Sequence, residues 1–177
     1  PQQRPVDFML LLDASGSMEG APMREAKKAC YALVTEIVDF SVHRLGLIAF
    51  EENAKLLYSL GNERQAMCAK IESILAVGGT NMLPAFQKAE ATLGGSMNGK
   101  VIIMVSDGAP FDSDATLLKA ASLREKGIRI ITIGVGNNIN KNLLKQLAGD
   151  GLFYTIKNMG ELESTFRTAI PAIMEKL

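Results

Sequence analysis

The sequence predicts an α/β fold: a doubly wound, mostly parallel sheet of six strands, with one antiparallel strand and helices on both faces. Three observations predict it. Four β-branched or apolar runs lie at 6–12, 45–50, 101–105 and 128–133, with shorter candidates at 54–60 and 152–156. Such continuous apolar runs suit strands covered on both faces, as in a parallel sheet, rather than strands with one wet face. Helical periodicity fills most of the intervals, and an alternation of strand and helix implies right-handed crossovers. Only the polar tripeptide Glu51-Glu52-Asn53 separates 45–50 from 54–60, so those two strands are expected to form an antiparallel hairpin.

The elements follow in order. After the first strand, residues 22–41 open with Pro22, favourable in a first helical turn, and place Ala26, Cys30, Leu33, Val34 and Ile37 on one face. Further helices are expected at 63–75, 82–94, 114–126 and 140–148, the third of them capped by Asp112-Ser113-Asp114. A last helix is expected over 159–176, where Met159, Leu162, Phe166, Ile170 and Ile173 recur at three and four residues. Pro171 lacks an N–H and clashes with the preceding turn, a cost of about 3 kcal/mol in a helix interior. The pattern therefore predicts a kink or stop near 168–170, with the final residues loosely held. The plan is Rossmann-like.

The chain of 177 residues reads as a single domain over 1–177, large enough for its own core, and its abrupt ends fit a piece cut from a longer protein. Nineteen basic residues balance nineteen acidic ones without a Lys/Arg cluster, so neither nucleic acid nor a membrane surface is an expected partner. No run reaches the roughly 18 apolar residues of a membrane span. The start lacks the layout of a secretory signal. Cys30 and Cys68 read as buried free thiols, and a cytoplasmic, reducing location is the expectation. The lone His43 precedes the second strand and reads as a surface or packing residue, and the nine methionines read as core filler.

Three polar loops carry the chemistry. The first strand runs into Asp13-Ala14-Ser15-Gly16-Ser17; Gly78-Gly79-Thr80-Asn81 precedes a helix; Ser106-Asp107-Gly108 closes the run 101–105. All three belong at or beside the carboxyl ends of the strands, where open α/β sheets bind ligands. Asp13, Ser15, Ser17, Thr80 and Asp107 offer two carboxylates and three hydroxyls, with no thiolate or imidazole. Such hard oxygen donors suit Mg²⁺, with Mn²⁺ or Ca²⁺ as alternatives, and argue against zinc or copper. Three neutral hydroxyls leave such an ion under-neutralised and open to one more anionic oxygen. The competing structural reading makes Asp13 and Ser15 helix caps, but it leaves Ser17, Thr80 and Asp107 unexplained. Gly134-Val135-Gly136 hints at a dinucleotide fingerprint, yet Ile139 stands where the third glycine belongs.

The three motifs in this order resemble the metal-ion-dependent adhesion site of von Willebrand factor A domains, a likeness that covers nearly the whole chain and includes Ile133-Gly134-Val135-Gly136. The resemblance implies that Ser15 and Ser17 bind the ion directly and Thr80 directly or through water, while Asp13 and Asp107 act directly or through bridging waters. It implies a protein partner whose Glu or Asp carboxylate completes the site. It also implies, from integrin-type members, a final helix whose sliding is coupled to the metal site. The SGSMEG phrase looks more like bacterial or intracellular members than extracellular ones.

The alternative class is a Mg²⁺-dependent phosphotransfer or hydrolytic enzyme using Asp13. An aspartyl phosphatase of the haloacid dehalogenase type needs a second Asp two residues on, where this chain has Ser15. A serine nucleophile needs a base, and no histidine or lysine belongs to the constellation. The sequence therefore reads as a metal-dependent interaction module and not as an enzyme.

Overall fold

Long apolar runs without polar alternation must be covered on both faces, and in the computed structural model, which describes residues 4–108 and 110–177, they are. The strands are β1 (Val6–Asp13), β2 (Arg44–Phe50), β3 (Ala54–Gly61), β4 (Gly99–Ser106), β5 (Arg129–Val135) and β6 (Leu152–Ile156). They form one six-stranded sheet in the order β3-β2-β1-β4-β5-β6. All neighbours are parallel except β2 and β3, which pair antiparallel across the short polar turn. The helices are α1 (Ala21–Ala32), α2 (Arg64–Glu72), α3 (Leu83–Leu93), α4 (Ser113–Glu125), α5 (Lys141–Ala148) and α6 (Leu162–Met174). The expected fold class holds, strand by strand.

Side chains alternate along β1 and so serve two cores. Phe8, Leu10 and Leu12 pack with Leu33, Met67 and Phe166 beneath α1, α2 and α6. Met9 and Leu11 pack with Phe50, Phe86, Leu123 and Leu144 beneath α3, α4 and α5. The chain leaves β1 for β2 on one side and returns to β4 on the other. Strand order thus reverses between β1 and β4, and their carboxyl ends frame the crevice where such sheets bind ligands.

Several boundaries differ from expectation. The first helix ends at Ile37 rather than 41, through a π-helical turn Leu33–Ile37 closed by the Val38 N–H on the Leu33 carbonyl at 3.0 Å. Beyond it Val38 and Phe40 are buried, and the chain turns inward to begin β2. Pro171 does not stop α6, which continues to Met174. The proline is on the solvent side, three residues from the helix end, where a lost backbone bond can be replaced by water. Ile173 is fully buried beyond it, so the segment up to that residue is anchored rather than loose. Cys30 is buried, and burial pushes its thiol up to about 12; Cys68 is only half-buried, a correction to the reading of both as buried.

His43 is a packing residue at the amino edge of the sheet. Its Nδ1 accepts the Val6 N–H at 3.0 Å, and its ring meets Phe8 edge-on at 5.7 Å. Asp112 caps α4 by accepting the Ala115 N–H at 3.0 Å, as expected. The glycines of the 134–136 phrase have structural work: a β-carbon at Gly134 would fall 2.5 Å from Ile139 and 2.6 Å from Leu144, and Gly136 turns the chain at φ +87°. No helix among the described residues is long and apolar enough to cross a membrane.

Candidate metal centre

Asp13 is the last residue of β1 and is 0% exposed. Its Oδ1 accepts the Ser15 N–H at 2.8 Å, which curls the chain back over the strand end. Its Oδ2 accepts the Ser106 hydroxyl at 2.8 Å and lies 3.4 Å from the Asp107 N–H. Ser15 stays extended, and a 3-10 turn Gly16–Met18 follows it. That turn lifts Ser17 to the surface, where its Oγ lies 3.0 Å from Ser15 Oγ and donates to Asp107 Oδ1 at 2.8 Å. Four of the five expected ligands are therefore joined in one chain of hydrogen bonds.

Thr80 comes from a separate loop. That loop is tied to the first by the Gly16 N–H on the Gly78 carbonyl at 2.9 Å and the Val77 N–H on the Ala14 carbonyl at 2.8 Å. The Thr80 hydroxyl lies 3.5 Å from the position a β-carbon would take on Gly108, which puts it beside the third loop. Among the described residues it makes no hydrogen bond to the other four. Its neighbour Asn81 leaves a buried Oδ1 without a partner.

The electrostatics are those of a site short of positive charge. Burial, and then the charge of Asp13, push the Asp107 carboxyl above the usual carboxylate range, while the Ser17 hydroxyl pulls the other way. Among the described residues no lysine or arginine pairs with Asp13 or Asp107. No cluster of three or more His, Cys, Asp or Glu is present among the described residues, so any ion held here depends on hydroxyls as well as carboxylates. The donor spacing fits a small hard cation. Oxygens about 2.0–2.1 Å from an octahedral Mg²⁺ lie about 2.9 Å from their neighbours around the shell. The Ser15–Ser17 and Ser17–Asp107 oxygens already stand 3.0 and 2.8 Å apart.

Ser106 is the residue of these motifs whose role the sequence does not show, because the carboxylate it serves is 93 positions away. The only signal was a hydroxyl at the buried end of the β4 run.

A sheet of this order with these three loops at its carboxyl edge defines a class. The model of the von Willebrand factor type A domain matches residues 7–168, and the chain belongs to that family. Domains of this family are protein-interaction modules, often metal-dependent, and their relatives are mostly adhesion or interaction modules rather than enzymes. An uncharacterized protein of Synechocystis is 29% identical over 171 residues, 92% of this chain and 40% of that protein. A von Willebrand factor A domain-containing protein of Dictyostelium discoideum is 26% identical over 165 residues, 89% of this chain and 18% of that protein. The chain thus spans well under half of these curated relatives. Among solved structures, proximal thread matrix protein 1 from the mussel byssus superposes with a TM-score of 0.85 at 17% identity, over 97% of this chain and 46% of that one. The same protein with a zinc-occupied metal-ion-dependent adhesion site gives 0.84 at 18% identity, with the same coverage. BatB from Bacteroides thetaiotaomicron gives 0.80 at 20% identity, over 97% of this chain and all of that one (100%). At these identities the structures speak for the fold.

Proposed function

We propose that the chain is a divalent-metal-dependent protein-interaction module. In this reading Asp13, Ser15, Ser17, Thr80 and Asp107 together hold one Mg²⁺, and a Glu or Asp carboxylate from a partner completes the shell. The ion would supply the counter-charge with which no lysine or arginine among the described residues provides Asp13 and Asp107. The observation that carries the reading is the pair of carboxylates at the β1/β4 crevice, supported only by neutral donors. The chain's own contribution is rigidity: Ser106 and the Ser15 N–H fix both oxygens of Asp13, and the Gly16–Gly78 and Val77–Ala14 bonds hold the two loops together.

Isothermal titration of Mg²⁺ and Mn²⁺ into wild type and Asp13→Ala tests it. The wild type should bind one ion and the variant should lose at least about 100-fold in affinity, beyond what an outer-shell change costs. Equal affinities would end the assignment. Stripping the ion with EDTA should leave a folded protein with a lower melting temperature, because an ion bound only by the native state adds stability by mass action. We also infer that residues 1–177 melt as one cooperative unit, which the same thermal scans test.

The enzyme reading fares less well. A histidine base is not at hand for it, since the lone histidine is bonded to Val6 at the opposite edge of the sheet. Phosphatase assays in Mg²⁺ should show no turnover.

A further inference from the structure

The loop that carries Thr80 is edged by apolar surface that metal binding does not require. Phe111 is 67% exposed and Val77 56% exposed, yet both belong to segments fastened to the centre. The Phe111 N–H donates to the Thr80 carbonyl at 3.2 Å, and Val77 is bonded to Ala14 as above. The Phe111 ring lies against Gly79, where a β-carbon would fall 2.5 Å from it. Glycine at 79 therefore lets the ring lie beside the Thr80 loop. An aromatic ring held in water at the rim of a polar site is the kind of surface that partners bury.

The same loop has acidic neighbours. A β-carbon on Gly78 would fall 3.0 Å from Glu51 Oε2, and one on Gly79 would fall 3.5 Å from Glu52 Cγ. Glu52 is exposed and forms no ion pair among the described residues. The far side of Asp107 differs: a cleft of about 220 Å³ there is lined by Asn137, Asn138 and Lys157, and its apolar members Pro22, Val135 and Met159 are buried or half-buried, so it presents no exposed aromatic ring.

Resting on the metal-dependent reading above, we propose that the partner is a peptide segment with a defined pattern around its metal-seeking carboxylate. It lays a large apolar side chain on Phe111 and Val77 and sets a basic residue, not a second acid, against Glu51 and Glu52. Continuity supports this occupant, since Val77 lies on the loop that carries Thr80 and the Phe111 ring lies against Gly79 of the same loop. Charge supports it too, since a second carboxylate would meet two glutamates, and like-charge juxtaposition selects against such partners.

Short displayed peptides with one fixed central Glu and random flanks, panned on the chain in Mg²⁺ and in EDTA, provide the test. Mg²⁺-dependent binders should carry a large apolar residue within a few positions of the Glu, with Lys or Arg nearby. Phe111→Ser should weaken those peptides by about 10-fold or more, as expected on truncating an anchor, with an unchanged Mg²⁺ titration. Glu52→Lys should shift the selected flank from basic to acidic. Equal affinity for Phe111→Ser, binders without an apolar flank, or no Mg²⁺-dependent binder would overturn the proposal. A normal Mg²⁺ titration alongside such a result confines the failure to the shelf, whereas a flat wild-type titration brings down the metal reading as well.

Discussion

Strand β1 carries an aspartate near each end, Asp7 and Asp13, and both are 0% exposed. Their surroundings are opposite. Asp7 meets Arg44 through two hydrogen bonds of 2.8 and 2.7 Å and accepts a third from Asn98 at 3.0 Å. Burial alone would raise its pKa, but Arg44 together with Ser96 and Asn98 outweighs it and holds the carboxyl below its usual range. Asp13 has only an N–H and a hydroxyl at short range, and faces a second carboxylate whose own pKa is raised. One residue type on one strand thus meets a counter-charge at the amino edge and only neutral donors at the carboxyl edge. The lesson is that burial alone does not tell a charge-compensated carboxylate from one without a counter-charge.

The largest effect should come from breaking the neutralised end. Arg44→Ala leaves the Asp7 charge without its counter-ion and should cost about 2 kcal/mol, below the range for a fully buried pair because the Arg44 side chain is 42% exposed and Asn98 still bonds the carboxylate. Urea denaturation would measure it, and Mg²⁺ affinity should not change. A loss below half of that would mean that the pair contributes little and that the contrast is overstated.

At the other end, Ser106→Ala removes a neutral donor rather than a counter-charge. It should lower Mg²⁺ affinity by about 10- to 100-fold, as removal of an outer partner of a metal ligand typically does, with little change in the melting temperature of metal-free protein. Calorimetric titration decides it. An unaltered affinity would show that Asp13 needs no orienting hydroxyl.

The smallest effect, and the sharpest comparison, lies in pH dependence without metal. Asp107 has a raised folded pKa, so the native state takes up its proton first and the protein gains stability as pH falls from neutrality toward the unfolded value of about 4. Asp7 has a lowered folded pKa, so its contribution is fully present above about 4 and is lost as pH falls through the folded value. Asp107→Asn should flatten the first limb and raise the metal-free stability near neutral pH by about 1 kcal/mol or less, while abolishing the Mg²⁺-dependent rise in melting temperature. Melting curves across pH, with EDTA and with Mg²⁺, test both signs; an unchanged first limb would remove Asp107 as its source.

Much of this architecture was legible in the residues. The run at 101–105 is apolar throughout and that at 6–12 is broken only by Asp7, patterns that suit strands covered on both faces. The short polar turn at 51–53 leaves no length for a crossover. The three loop motifs announced hard oxygen ligands because their composition excludes soft ones. Other features depended on distance. The end of the first helical stretch at Ile37, one π-helical turn beyond α1, follows from chain turning inward at Val38 and Phe40, not from propensity. Pro171 is tolerated because it faces water near a helix end, whereas a proline at Ala169 or Ile170 would be driven into the core. His43 could be called a packing residue but not assigned to Val6 and Phe8, since both lie on the neighbouring strand β1, Val6 37 positions away in the chain.

The sequence by itself determined the layered α/β plan, the strands and their hairpin, and the inventory of oxygen donors, because local periodicity and side-chain chemistry suffice for each. The tertiary structure alone decided which carboxylate would be neutralised. Parallel pairing of β1 with β2 sets Asp7 opposite Arg44, and pairing of β1 with β4 sets Leu12 opposite Val105, which brings Ser106 to Asp13. Charge compensation is a matter of a few ångströms across strands that are distant in the chain. It appears only once the register is set.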